Sequence, residues 1–505
     1  MIVVHNSHEC DVLVIGGGPA GSTTAALLAH MGRKVVLLEK DRMPRFHIGE
    51  SLLPLNLPLF ERLGVADEIR RIGVYKPGAE MVSDAHGTAT KFRFASNPHL
   101  PVDHSYQVQR AEFDKLLLDN SRRLGATILE ATRAREVEFD VGERTRITAI
   151  GPDATVSSWL ARHVVDASGR DTLLASQLGL KRTDKIHGTA AVYGHFRNVP
   201  RRDGDDAGMI TVHLFEQGWL WMIPLPDRIM SVGVVGDRAF FKHRTDDLNG
   251  ILARALAASP SAADRMAKAE LIRPLVATGN YSYDARRIAG NGYTLTGDAF
   301  AFVDPMFSTG VLMAMSSGAL AAEAINVWLE NRKAGERLLR SYERKMRRGL
   351  EAISWLIHRI NTNVLRDMFM SSIDMFDIRN GVVAILAGDF YEKRGLFSPL
   401  RRCQLAYRVL YGLSKVGLRL RGRGLTWRCT NSVESTEVGG ALGKGIRDFK
   451  RAINEPEGIA PSAETADGAE VETVDSAARS LRAQPHTITN NLAKELENNE
   501  SFENC

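Results

Sequence analysis

Residues 11–39 leave the start of this chain little choice of fold. Asp11-Val12-Leu13-Val14-Ile15 is a short apolar, β-branched run, and it stops at Gly16-Gly17-Gly18-Pro19-Ala20-Gly21. A helix is predicted from about Pro19 to Gly32, and Lys34-Val35-Val36-Leu37-Leu38-Glu39 reads as a second strand ending in a carboxylate. A G-x-G-x-x-G run after a strand and opening a helix is the start of a doubly wound α/β fold. Gly16 permits the tight turn, Gly18 lets the backbone approach a pyrophosphate, and Gly21 lets helix and strand pack closely. The helix N-terminus offers unpaired N–H groups to phosphate, and Glu39 is placed to accept from a ribose hydroxyl. Gly16, Gly17, Gly18, Ala20, Gly21 and Glu39 are therefore the expected dinucleotide-binding positions.

The rest of the 505 residues is too long for one ordinary domain. Residues 1–75 hold the opening βαβ unit, which is expected to continue at 105–184 and 286–330. Ala111 to Leu124 is a predicted helix, with Phe113, Leu116, Leu117 and Leu118 on its apolar face. Residues 76–104 and 185–285 are expected to form an antiparallel sheet facing the substrate. The alternation in Met209-Ile210-Thr211-Val212-His213-Leu214-Phe215 suggests it. Residues 331–453 read as helical. Residues 454–505, poor in aromatics, read as a disordered acidic tail.

Charge is uneven along the chain. The formal net charge is +5, but residues 455–505 carry eleven acidic and three basic side chains. The body is thus strongly basic, and Arg401, Arg402, Arg408, Lys415, Arg419, Arg421, Arg423 and Arg428 concentrate that charge. Such a face can steer an anionic partner such as an acidic carrier protein, or be a solvated helix face. No nucleic-acid motif accompanies it. The four cysteines, Cys10, Cys403, Cys429 and Cys505, form no C-x-x-C pair and no metal spacing. With no secretory signal visible, a reduced, cytoplasmic protein is expected. The low-charge stretch from about Phe302 to Ala322 is broken by Ser308, Thr309, Ser316 and Ser317. It reads as a buried helix and not as a transmembrane segment. No metal is expected, since the fourteen histidines show no H-E-x-x-H cluster.

Three further segments resemble those of FAD-dependent aromatic hydroxylases and their relatives. They are Gln107-Val108-Gln109-Arg110-Ala111-Glu112-Phe113-Asp114, Val165-Asp166-Ala167-Ser168-Gly169 and Thr294-Leu295-Thr296-Gly297-Asp298-Ala299. The resemblance implies FAD, with Arg110 and Asp298 among its contacts. Trp219-Leu220-Trp221-Met222-Ile223-Pro224 fits W-x-W-x-I-P, and Phe302-Val303-Asp304-Pro305-Met306-Phe307-Ser308-Thr309-Gly310 fits F-x-x-P-x-x-S-x-G. Both resemble motifs of the flavin-dependent halogenases, as does Phe46-His47-Ile48-Gly49-Glu50-Ser51-Leu52-Leu53-Pro54. Glu50 is accordingly counted with the cofactor-binding positions. Trp219, Trp221 and Pro224 mark the first motif. Taken alone, two tryptophans on one strand face would be core packing. The resemblance implies a halide held at Ser308, Thr309 and Gly310, with Val311 beside the flavin. Lys76, in Gly73-Val74-Tyr75-Lys76-Pro77-Gly78-Ala79, resembles the active-site lysine of that family. Phe307 stands where tryptophan halogenases carry a glutamate, so the chain looks closer to halogenases of phenols, pyrroles and other aryl groups.

The resemblance implies a sequence of steps. Reduced FAD from a separate flavin reductase reacts with O2 to give a C4a-hydroperoxide, and chloride or bromide attacks it to give hypohalous acid. Lys76 then presents the halogen, as a hydrogen-bond donor or a haloamine, to an electron-rich aromatic substrate, free or borne on a carrier protein. Two other readings share the scaffold: an FAD monooxygenase or reductase, and a non-catalytic flavoprotein.

Overall fold

In the computed structural model of the chain, the strand His5–Ile15 lies at the centre of a sheet with parallel neighbours on both sides. One is Val35–Leu38, followed by Thr127–Leu129; the other is Val156–Asp166, followed by Tyr293–Leu295. Residues 5–427 are described, apart from 142, 185–187, 238, 243–246, 280–281, 372–377, 390, 392–398, 416–417 and 422–423. Val12, Leu13 and Val14 are buried on both faces, as a central parallel strand requires. The long Val156–Asp166 strand does double duty. One edge pairs parallel with His5–Ile15 along most of its length; on the other edge its first half pairs antiparallel with Arg144–Ile150, which turns back to Arg133–Val141, and its last residues pair parallel with Tyr293–Leu295.

Two helices cross over this sheet, and their crossing positions the site. Pro19–His30 packs against Gly310–Glu330 with almost no side chain between them at one point. A Cβ on Gly318 would lie 2.6 Å from the Ala20 carbonyl oxygen, and Thr24 Oγ1 donates to the carbonyls of Ala20 and Gly318. Small residues thus let the backbones touch. The Gly310–Glu330 helix is apolar and long enough to cross a membrane, but it is mostly buried here, with Arg332–Ile357 packed along it.

The second sheet runs Glu270–Leu271, Ala190–Arg197, Met230–Gly236, Gly218–Pro224, Ile210–Phe215, Gly78–Ser83, Thr88–Arg93. It is antiparallel except where Ile210–Phe215 meets Gly78–Ser83 in parallel. The expected one-sided alternation is not found: Ile210–Phe215, Gly218–Pro224 and Met230–Gly236 are buried at every position. Trp219, Trp221 and Ile223 face the main core. Leu220, Met222, Val232 and Val234 face a second cluster closed by Leu252, Ala255 and Ala262. Those last three come from the helices Leu248–Ala257 and Pro260–Met266, which cover the outer face.

The C-terminal helices Asn363–Met370 and Ile378–Ala387 return to the second sheet. Phe369 meets Phe92 and Phe307 edge-on, and the Asn97 amide donates to the Asn380 carbonyl. After the helix Pro399–Lys415 the expected helical run is interrupted by a hairpin, Leu418–Arg421 with Gly424–Trp427. Arg401 and Arg408 of the basic stretch are exposed on that helix. The side chains of Arg419, Arg421, Arg423 and Arg428, and the whole acidic tail, lie outside the described residues.

Candidate active site

The glycine loop is closed by contacts that only glycine allows. Gly16 sits at φ +104°, and a Cβ on Gly21 would lie 1.9 Å from the Gly16 carbonyl oxygen. Gly18 differs: its Cβ position meets only Arg45, at 3.7 Å. That open approach continues into the helix. Gly18 caps Pro19–His30 with no side chain, Pro19 occupies the first turn, and no acidic residue lies there. The first-turn N–H groups keep their partial positive charge for an anion, so the loop fits a dinucleotide pyrophosphate. Arg45, which sequence reasoning passed over, adds a guanidinium beside it.

Glu39 sits where it was expected but is already engaged. Its Oε2 accepts from the Gly17 N–H at 2.6 Å and its Oε1 from the Asp41 N–H at 2.9 Å. The carboxylate locks the glycine loop to the end of the second strand, with its remaining lone pairs left for a ribose. Ala20 serves packing: its Cβ lies 3.0 Å from where a Cβ on Gly297 would be. That contact draws the Gly297-Asp298 turn against the glycine-loop helix. Asp298 is half-buried, and its carboxylate has no hydrogen-bond donor among the described residues. Burial pushes its pKa up to about 6, against the pull of Arg110 and Arg170. A carboxylate left in that state suits a hydroxyl-bearing cofactor.

Arg110 starts the Arg110–Arg123 helix and is buried. Its Nε and Nη2 donate to the two oxygens of Asp114, at 2.7 and 2.9 Å, and its Nη1 donates to the Ile48 carbonyl at 2.6 Å. Arg110 therefore holds the Phe46–Glu50 segment against its own helix. Glu50, fully buried, meets His195 Nε2 at 2.7 Å, a partner 145 residues away that the sequence reading missed. Phe46 stands edge-on to His195 and stacks on Tyr193.

Lys76 ends the short strand Val74–Lys76, which pairs with Ser105–Gln107. Its amine is buried, donating to Ser51 Oγ at 2.8 Å and to the Leu52 carbonyl at 2.7 Å, with the Phe94 ring 5.5 Å away. No carboxylate pairs with it among the described residues. Burial alone pulls its pKa down to about 7, so a neutral amine is accessible near neutral pH. Ser51 follows Glu50 in sequence, so the lysine and the Glu50–His195 pair share one backbone segment.

The halide-type loop leads into the second helix N-terminus. Pro305–Phe307 makes one tight turn, Ser308 takes the left-handed conformation at φ +55°, and Thr309 caps Gly310–Glu330 with no side-chain bond to its amides. Thr309 and Val311 are buried, whereas Gly310 is exposed and opens onto space at its Cβ position. Unpaired N–H groups at an uncapped N-terminus, with no acidic first-turn residue, suit an anion. Trp219 and Trp221 lie side by side with rings 5.7 Å apart, and Trp221 donates to Ser231 Oγ at 3.2 Å. Gly233, opposite Trp221 on the next strand, makes room for its ring. Pro224 closes the same strand.

Known proteins resemble this chain over most of its length. A family model for an FAD binding domain matches residues 9–354. The 1H-pyrrole-2-carbonyl-(peptidyl-carrier protein) chlorinase of Pseudomonas fluorescens is 30% identical over 419 residues, covering 77% of this chain and 92% of that protein. A flavoprotein/dehydrogenase from Cytophaga hutchinsonii superposes with a TM-score of 0.73 at 26% identity, over 81% of this chain and 98% of that one. The myxobacterial chondrochloren halogenase, a variant of FAD-dependent halogenases, gives 0.66 at 31% identity, over 79% and 97%.

Proposed function

Because this chain belongs to the flavin-dependent halogenases, enzymes that use FAD, O2 and halide, we propose that Lys76 delivers the halogen to an electron-rich pyrrole or phenol presented on a carrier protein. The observation that carries this reading is the buried, carboxylate-free amine of Lys76 with its pKa near 7. The glycine loop, Glu39, Arg110 and Asp298 would hold FAD, with Glu50 and His195 bracing the segment between. Bound there and reduced by a separate flavin reductase, FAD would supply the O2-dependent chemistry that oxidises halide to hypohalous acid. The free amides at Thr309, Gly310 and Val311 hold the halide, and Ser308 sets the bend that turns them outward.

Lys76 can act in either protonation state. As a neutral amine it takes the halogen from hypohalous acid and releases water, leaving a haloamine; as an ammonium it donates a hydrogen bond that orients the acid. The burial of the Lys76 amine, with the Phe94 ring beside it, keeps bulk water from that oxidant. Phe307 stands in the loop where tryptophan halogenases carry a carboxylate, which favours a substrate other than tryptophan. The carrier is supported by likeness to a carrier-protein chlorinase over 92% of its length. Free, buried Cys10 and Cys403 are consistent with a reducing, cytoplasmic setting.

Intact-protein mass spectrometry tests the substrate. Pyrrolyl and hydroxyaryl thioesters on an acidic carrier, and the same acids free, are offered with FAD, reductase, NADH, O2 and chloride. Chlorination of the thioester alone is expected. Chlorination of the free acids at equal rate would remove the carrier from the account.

A further inference from the structure

The loop that leads to the proposed halide site is tied down by one buried carboxylate, Asp304. Three separate elements converge on it. Its Oδ1 accepts from the Met306 N–H at 3.1 Å, holding the Pro305–Phe307 turn. Its Oδ2 accepts from Thr189 Oγ1 at 3.0 Å, just before the strand Ala190–Arg197. The Trp219 indole of Gly218–Pro224 lies close enough to the carboxylate to draw its pKa down. Backbone amide and hydroxyl donate, one to each oxygen, and the indole stands beside them, an arrangement that suits an ionised carboxylate with no donor of its own. Burial pushes its pKa up to about 6, and these three neighbours oppose that rise.

Asp304 lies five residues before Thr309, and everything between is fixed from it: the tight turn, the left-handed Ser308, then the first free amides of the Gly310–Glu330 helix. A shift of the turn would re-aim those N–H groups. The same carboxylate ties them to the strand of Trp219. Resting on the halide-loop reading above, we propose that Asp304 is a positioning residue that clamps the tryptophan strand to the halide loop and so sets halide affinity. It touches neither substrate nor cofactor. Its effect runs through the backbone of residues 305–310 and through Trp219.

Bromide titration of the FAD-loaded protein, followed by the flavin visible spectrum, reads this without turnover. In Asp304→Asn the side-chain oxygen keeps the Met306 amide, but an NH2 replaces the other oxygen and the negative charge beside the Trp219 indole is lost. Losing that acceptor and its charge should weaken bromide about tenfold while FAD affinity stays within about twofold. Thr189→Val, which removes one donor from outside the loop, should show a smaller loss and carries the test if Asp304→Asn does not fold. Asp304→Asn with Trp219→Phe should bind bromide no more weakly than Asp304→Asn alone, because both cut one link. Unchanged bromide affinity, additive losses, or equal losses of bromide and FAD would each overturn the clamp. A wild-type protein with no bromide response would overturn the halide-loop reading itself and the clamp with it.

Discussion

The stability gap between Lys76→Met and wild type should change with pH in a way that only a buried, shifted amine produces. Burial draws the Lys76 pKa from 10.5 to about 7. In the unfolded chain the amine stays protonated up to its ordinary value, whereas in the folded protein it releases its proton above about 7. Between those values the unfolded state holds the extra proton. Wild-type stability therefore gains with rising pH across that window, and the penalty of the buried amine is complete below it. A gap of about 3.5 units is worth roughly 5 kcal/mol. Methionine removes that penalty but leaves Ser51 Oγ and the Leu52 carbonyl without their donor, at ~1–3 kcal/mol each. The second term is constant with pH and the first is not. The advantage of Lys76→Met over wild type should therefore fall by about 3 kcal/mol between about pH 7 and pH 9.5. Guanidinium unfolding of both proteins at one fixed excess of FAD measures it. A difference that stays flat across that range would refute the assignment of a depressed pKa to Lys76.

Three other substitutions probe the scaffold. Glu39→Gln can keep only one of the Gly17 and Asp41 amides on its oxygen, so FAD should bind about 10–100-fold more weakly by fluorescence titration; a change under about twofold would mean the loop does not need the carboxylate. Asp114→Ala leaves buried Arg110 without its carboxylate and takes one of Arg45's two, and should cost about 3–5 kcal/mol of stability, read from chemical unfolding. Loss of less than about 1 kcal/mol would show the pair to be a solvated one. Gly233→Ala places a Cβ 2.3 Å from the Trp221 ring and should displace it, changing tryptophan emission and costing about 1–3 kcal/mol. Unchanged emission would mean the sheet relaxes elsewhere.

Local chemistry made the βαβ opening legible: a β-branched run, glycines at turn spacing and a carboxylate at the next strand end lie within 29 consecutive residues. What the carboxylate binds was not legible, because the Gly17 amide reaches Glu39 only once two parallel strands set their ends level. The Arg110–Asp114 pair was available in the sequence at i, i+4 across the start of a predicted helix, and reading Arg110 as a cofactor contact alone passed over it. Glu50–His195 and Asp304–Thr189 could not be read that way. Each joins residues more than a hundred positions apart through sheet topology. The alternation in residues 209–215 did not reveal a sheet buried on both faces, because helices 248–257 and 260–266, which cover its outer face, follow it in the chain and carry no motif of their own.

The account turns on Lys76 as the residue that delivers halogen. Purified wild type and Lys76→Met, each with FAD, a flavin reductase, NADH, O2 and bromide, should be given the same carrier-borne pyrrole or phenol and the product weighed by mass spectrometry. A bromine isotope doublet from wild type, absent from Lys76→Met although that variant holds FAD and consumes O2 normally, is the predicted result. Bromination that persists without the lysine, or a product heavier by one oxygen, would contradict it.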